Sequence, residues 1–103
     1  MLEPEVFYEG GAVRAVVRVL AVHPVTKERS PVVDLPAMTI RFRDPSRAVL
    51  IERTLALGTV VNEGDGYYSG TAVPQAEGRH MVEFETGGAL PGRDKVGFTV
   101  EPF

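Results

Sequence analysis

The side chains able to do chemistry are few and scattered. Nucleophilic catalysis needs a Ser, Cys or Lys held beside a base. The chain has no cysteine, and its serines, Ser30, Ser46 and Ser69, lie outside any G-x-S-x-G elbow, Ser69 being preceded by Tyr67-Tyr68. Of the two histidines, His23 precedes Pro24 and reads as a surface residue. His80 shares strand parity with Val82 and Phe84 and reads as a hydrogen-bonded histidine at the core edge. A copper site would have to combine these two with Met38 and Met81. All four stand apart in the chain, and Met38 has core parity while Met81 faces away from it. The acidic run Asn62-Glu63-Gly64-Asp65-Gly66 has some features of a calcium loop, but its twelfth position is Val73, where a bidentate Glu is required. Glu83 and Glu85 fall on one strand face about 6.6 Å apart, near the spacing of an inverting glycosidase. No aromatic wall is foreseen there to raise either pKa, so the pair reads as a solvated edge or binding rim. The segment Gly64-Asp65-Gly66-Tyr67-Tyr68-Ser69-Gly70 has no lysine, leads into a strand and carries an acid where a phosphate would sit. The expectation is a non-enzymatic chain with no catalytic residue, no metal ligand and no cofactor.

The elements that would position these residues are short and β-like. Turn signals recur at Gly10-Gly11, Asp44-Pro45-Ser46, Asp65-Gly66, Glu77-Gly78, Gly87-Gly88 and Pro91-Gly92, the punctuation of an all-β fold. Residues 12–22 form the clearest strand, with Val13, Ala15, Val17, Val19 and Ala21 toward a core and Arg14 and Arg18 on the opposite face. Residues 37–43 alternate Met38, Ile40 and Phe42 inward against Thr39, Arg41 and Arg43 outward. Further strands are expected over 67–73, over 79–86 and around Val96, Phe98 and Val100, with Pro102 closing the last. Residues 44–58 admit two readings. Asp44, Pro45 and Gly58 sit where a helix cap, first turn and stop would fall, but Val49, Ile51, Leu55 and Leu57 also share strand parity, and one or two strands suit the surrounding pattern better. The fold class is therefore all-β, an immunoglobulin-like antiparallel sandwich of about seven strands, the alternative being α+β with one helix near 46–57. Residues 23–36, rich in proline and charge, form the long exposed connection.

Length and composition set the outer limits. A chain of 103 residues accommodates one domain, spanning 1–103, that needs neither disulfides nor a structural metal. Hydrophobic and charged fractions of 44% and 24% suit a soluble globular domain. A net charge of −3 and a pI of about 5.3 argue against a nucleic-acid partner bound through a dense basic patch. The opening Met1-Leu2-Glu3-Pro4-Glu5-Val6-Phe7-Tyr8 has neither the basic region nor the apolar run of a signal peptide, and no stretch is apolar enough to span a bilayer as a helix. No membrane association is expected.

What remains is surface. The even face of residues 12–22 carries Val16, Leu20 and Val22 beside Arg18, an apolar content that suits a protein partner. Tyr67 and Tyr68 take opposite faces of their strand, one core and one surface anchor. The expected interface comprises Val16, Arg18, Leu20, Val22, Tyr68 and the terminal Phe103. Asp65-Gly66-Tyr67-Tyr68-Ser69-Gly70, then Glu77-Gly78-Arg79-His80-Met81-Val82-Glu83-Phe84, then Phe98-Thr99-Val100 resemble the closing strands of small immunoglobulin-like domains found in bacterial surface modules and in accessory proteins of tailed-phage virions. Val6-Phe7-Tyr8-Glu9-Gly10-Gly11-Ala12-Val13 is similar to their first hairpin. The resemblance implies a structural module docking on protein subunits of a larger assembly or on itself: a capsid decoration, neck or tail component of a virion, assembled in the host cytoplasm. The alternative is a periplasmic or surface copper- or carbohydrate-binding module without its leader.

Overall fold

The alternating segments pair into two antiparallel sheets. A computed structural model describes residues 1–9, 11–87 and 92–101. Among the described residues nine strands form: β1 (Leu2–Glu9), β2 (Ala12–Val22), β3 (Arg29–Pro31), β4 (Met38–Arg43), β5 (Val49–Thr54), β6 (Val61–Gly64), β7 (Tyr67–Ala72), β8 (Gly78–Thr86) and β9 (Gly92–Val100). One sheet runs β1-β2-β7-β6, with β3 pairing to the end of β2, and the other runs β5-β4-β8-β9. The two pack face to face as a β-sandwich. Each turns its apolar parity inward: Val13, Ala15, Val17 and Val19 from β2 with Tyr68 from β7 meet Ile40 and Phe42 from β4, Val82 and Phe84 from β8 and Phe98 from β9. Each valine, isoleucine or phenylalanine among them, once buried, contributes about 1.5–3 kcal/mol. Cross-strand register aligns them, with Val17 opposite Tyr68, Ile40 opposite Phe84 and Phe42 opposite Val82.

Residues 46–57 hold β5 and no helix, so the α+β alternative is overturned. The helix-like signals there have another use. Asp44 Oδ1 accepts the backbone N–H groups of Ser46 (2.9 Å) and Ala48 (3.2 Å) and the Ser46 hydroxyl. Asp44 N–H donates to the Ala48 carbonyl at 3.0 Å, and Arg47 sits at φ 72°, which a right-handed helix cannot accommodate. The cap chemistry thus closes a hairpin between β4 and β5. Nine strands also exceed the seven expected. β3 falls within the proline- and charge-bearing connection and exposes all three of its residues, while β6 is four exposed residues long, so neither leaves a period-two trace in the sequence.

The turn Asp65-Gly66 joins β6 to β7 with both residues at positive φ, 53° and 85°, as the two-residue hairpin requires. Glycine is doubly needed at 66, since a Cβ there would lie 2.9 Å from the Val19 carbonyl oxygen and 3.0 Å from Pro31 Cβ. The long connection is held down from below. The Tyr68 hydroxyl donates to the Val32 carbonyl (2.9 Å) and accepts the Leu35 N–H (3.2 Å), while Asn62 Nδ2 donates to the Val33 carbonyl at 3.0 Å. His23 is exposed and organises the start of the connection, its Nδ1 accepting the Val25 and Thr26 N–H groups, each at 3.1 Å. His80 is buried, stacked on Phe98 with ring centroids 5.0 Å apart, and its Nε2 donates to the Ala76 carbonyl at 2.8 Å.

Candidate interaction surface

The outer face of the five-stranded sheet gathers exposed aromatic rings and ion-paired arginines. Register places Glu5 and Ser69 on either side of Val16, Phe7 beside Arg14, and Tyr67 beside Arg18. Val16 is covered by this frame and only 6% exposed. The Arg14 guanidinium lies 6.0 Å from the Phe7 ring centroid and 2.7 Å from Glu63 Oε2. Glu63 Oε1 accepts the Ser69 hydroxyl at 2.7 Å, and this bond, followed by that from Arg14, holds the Glu63 carboxyl below the usual carboxylate range. Arg18 repeats the arrangement four residues along β2: its guanidinium is 5.1 Å from the Tyr67 ring, Nη2 is 3.1 Å from Asp65 Oδ2, and Nε donates to the Asp65 carbonyl. Two rings at 41% (Phe7) and 38% (Tyr67) exposure, each beside an ion-paired arginine, flank β2 on either side, Phe7 on the edge strand β1 and Tyr67 on β7, with exposed Val61 at the β6 edge.

The residues of the expected interface lie in different surroundings. Arg18 stands on the face as expected. Val16 and Leu20 share its parity but are buried, because a central strand has neighbours on both sides whose side-chain stems close over short apolar residues; Leu20 is enclosed between Met1 and Pro31. Tyr68 is fully buried, and Tyr67 is the exposed member of the pair. Val22 is exposed, but at the end of β2 opposite Arg29, away from the rings. Phe103 lies outside the described residues. Phe7 and Tyr67, which flank β2 on that face, are not among the expected residues. The usable signal was cross-strand: a ring opposite an arginine on each flank of β2.

On the other sheet, β8 lies between β4 and β9, so Glu83 and Glu85 are not at an edge. Arg41 donates to Glu85 (2.7 Å) and Glu52 (2.8 Å), Arg93 reaches Glu85 at 3.3 Å, and Arg43 pairs with Glu83. The hydrogen bond from Arg41, then the charge of Arg93, lowers the Glu85 pKa. A glycosidase acid needs the opposite shift. Among the described residues no group of three or more His, Cys, Asp or Glu could hold a metal ion. Met38 pairs with Thr86 and His80 with Phe98, which sets Met38 and His80 about 20 Å apart along β8 by strand rise. No family model, curated protein or solved structure matches the chain.

Proposed function

We propose that this chain is an immunoglobulin-like module that acts without catalysis, docking through the outer face of its five-stranded sheet on a protein subunit of a larger assembly, of the kind that decorates the capsid, neck or tail of a tailed-phage virion. The strand order supports the fold half of this reading. β1-β2-β7-β6 over β5-β4-β8-β9 corresponds to A-B-E-D over C′-C-F-G of immunoglobulin-like sandwiches. The observation that carries the functional half is the pair of half-exposed rings, Phe7 and Tyr67, each beside an arginine already oriented by a carboxylate. Aromatic and arginine side chains dominate binding hot spots, and fixing them before contact lowers the entropy lost on docking.

The test is co-expression with the products of neighbouring genes, followed by sedimentation of the assembled particles. The chain should travel with particles, and the double variant Phe7→Ala/Tyr67→Ala should remain in the supernatant, each truncation weakening attachment by about tenfold. The variant should fold, since both rings are partly exposed. Equal co-sedimentation of variant and wild type would refute the assigned face, and absence of the wild-type chain from particles would refute the assembly role.

A further inference from the structure

Among the described residues every arginine but two reaches a carboxylate or a backbone carbonyl, and the two left over, Arg47 and Arg79, line the same cleft. Lys95, whose ammonium also has no partner among the described residues, stands on its third side. The cleft measures about 630 Å³ and lies at the end of the four-stranded sheet where the β4–β5 turn, β8 and β9 converge. Its two carboxylates are already engaged, Glu83 by Arg43 and Asp44 by the turn it closes. Four cationic side chains therefore face two satisfied acids, in a chain whose net charge is −3. Pro45 and Met81 add apolar surface.

Gly97 makes room for this arrangement. It lies opposite Met81 in the β8–β9 register, and a Cβ there would fall 2.5 Å from Arg79 Nη2 and 2.8 Å from Cζ and Nε. The guanidinium thus lies across a bare stretch of β9, where any side chain would displace it. An interior strand glycine commonly marks such a close approach.

We infer that this cleft is a docking site for an acidic peptide segment of a protein partner, its carboxylates taken by Arg47, Arg79 and Lys95. The volume is in the range that encloses ligands far larger than a single small anion. The three cations come from three different elements, which suits carboxylates spaced along a chain. Arginine pairs with carboxylate in a two-point fork. The site lies on the opposite sheet from Phe7 and Tyr67 and stands independently of the docking face proposed there.

The experiment is an NMR titration at fixed ionic strength with a capped tetra-glutamate peptide, with a capped tetra-lysine peptide and inorganic phosphate as comparators. The expected result is saturable shifts at Arg47, Arg79 and Lys95 with tetra-glutamate alone, weakening as salt is added. Arg79→Gln should reduce affinity about tenfold. Gly97→Ala, which keeps every charge and displaces only the end of a flexible side chain, should reduce it about threefold with the fold intact. The Phe7→Ala/Tyr67→Ala variant should bind the peptide as wild type does, so that failure of either docking proposal leaves the other standing. Shifts that never saturate, unchanged affinity in both cleft variants, or tighter binding of phosphate than of peptide would each overturn the inference.

Discussion

Replacing Tyr68 by phenylalanine keeps the ring in the core and removes one oxygen, which isolates the contribution of the hydroxyl that holds the long connection. That oxygen serves Val32 C=O at 2.9 Å and Leu35 N–H at 3.2 Å, and the ring that carries it is fully buried. A single hydrogen bond is worth about 1 kcal/mol net, and leaving a partly buried backbone group unsatisfied costs about 1–3 kcal/mol. With two bonds lost and water able to reach part of the loop, the expected destabilisation is about 2 kcal/mol. For a domain of this length that corresponds to a drop in Tm of about 8–16 °C. Urea unfolding followed by far-UV circular dichroism measures it, with the m-value unchanged because the same surface is exposed on unfolding. Hydrogen exchange gives a local readout, since the Leu35 amide should lose protection well before amides of β4 and β8. A loss below about 0.5 kcal/mol, or a Leu35 amide exchanging as in wild type, would refute the role assigned to the hydroxyl.

Gly66→Ala forces a Cβ against the Val19 carbonyl and Pro31 at positive φ and should cost about 2–3 kcal/mol, whereas Gly58→Ala, also at positive φ but facing open space, should cost about 1 kcal/mol. Denaturant midpoints of the two variants check the order, and equal losses would contradict the packing around the turn. Acid should weaken the fold in a defined sense. The Glu63 and Glu85 carboxyls are held below their ordinary range, so the stability they contribute is fully present above the unfolded-state values and is lost as pH falls from about 5 through the depressed folded-state values. Denaturant midpoints measured between neutral pH and about pH 2 should fall, and Arg41→Met should flatten the decline by removing the main partner of Glu85. An equally steep decline in the variant would count against that ion pair.

The parts of the fold legible in the sequence are those governed by one strand alone. Met38, Ile40 and Phe42 alternate with Thr39, Arg41 and Arg43, and β4 takes that pattern because nothing about its neighbours is needed to read it. Tyr67 and Tyr68 show where such reading stops. Parity assigns them to opposite faces, but which one enters the core depends on the pairing of Val17 with Tyr68, a contact between residues about fifty positions apart. The burial of Val16 and Leu20 is hidden for a related reason: an apolar residue on an outer face is exposed or covered according to the strands beside it. Asp44 and Pro45 illustrate a different limit, since an aspartate accepting the next backbone N–H groups opens a helix or closes a turn with equal ease, and the positive φ of Arg47 decides. The basic cleft was illegible for want of topology, its three cations arriving from separate strands and a loop that only the sheet order brings together.

The ion-paired face of the four-stranded sheet also constrains how this sequence can change. Arg41 reaches Glu52 on β5 and Glu85 on β8, and Glu85 reaches Arg93 on β9, so one unbroken line of alternating charge crosses all four strands. Losing Arg41 alone would leave Glu52 on β5 without a partner among the described residues and Glu85 on β8 with Arg93 only, a defect that a second replacement at 52 would relieve. Substitutions along this line are thus coupled: positions 41, 52, 85 and 93 are free to drift as a set, including by exchange of sign, and are resistant to drift one at a time.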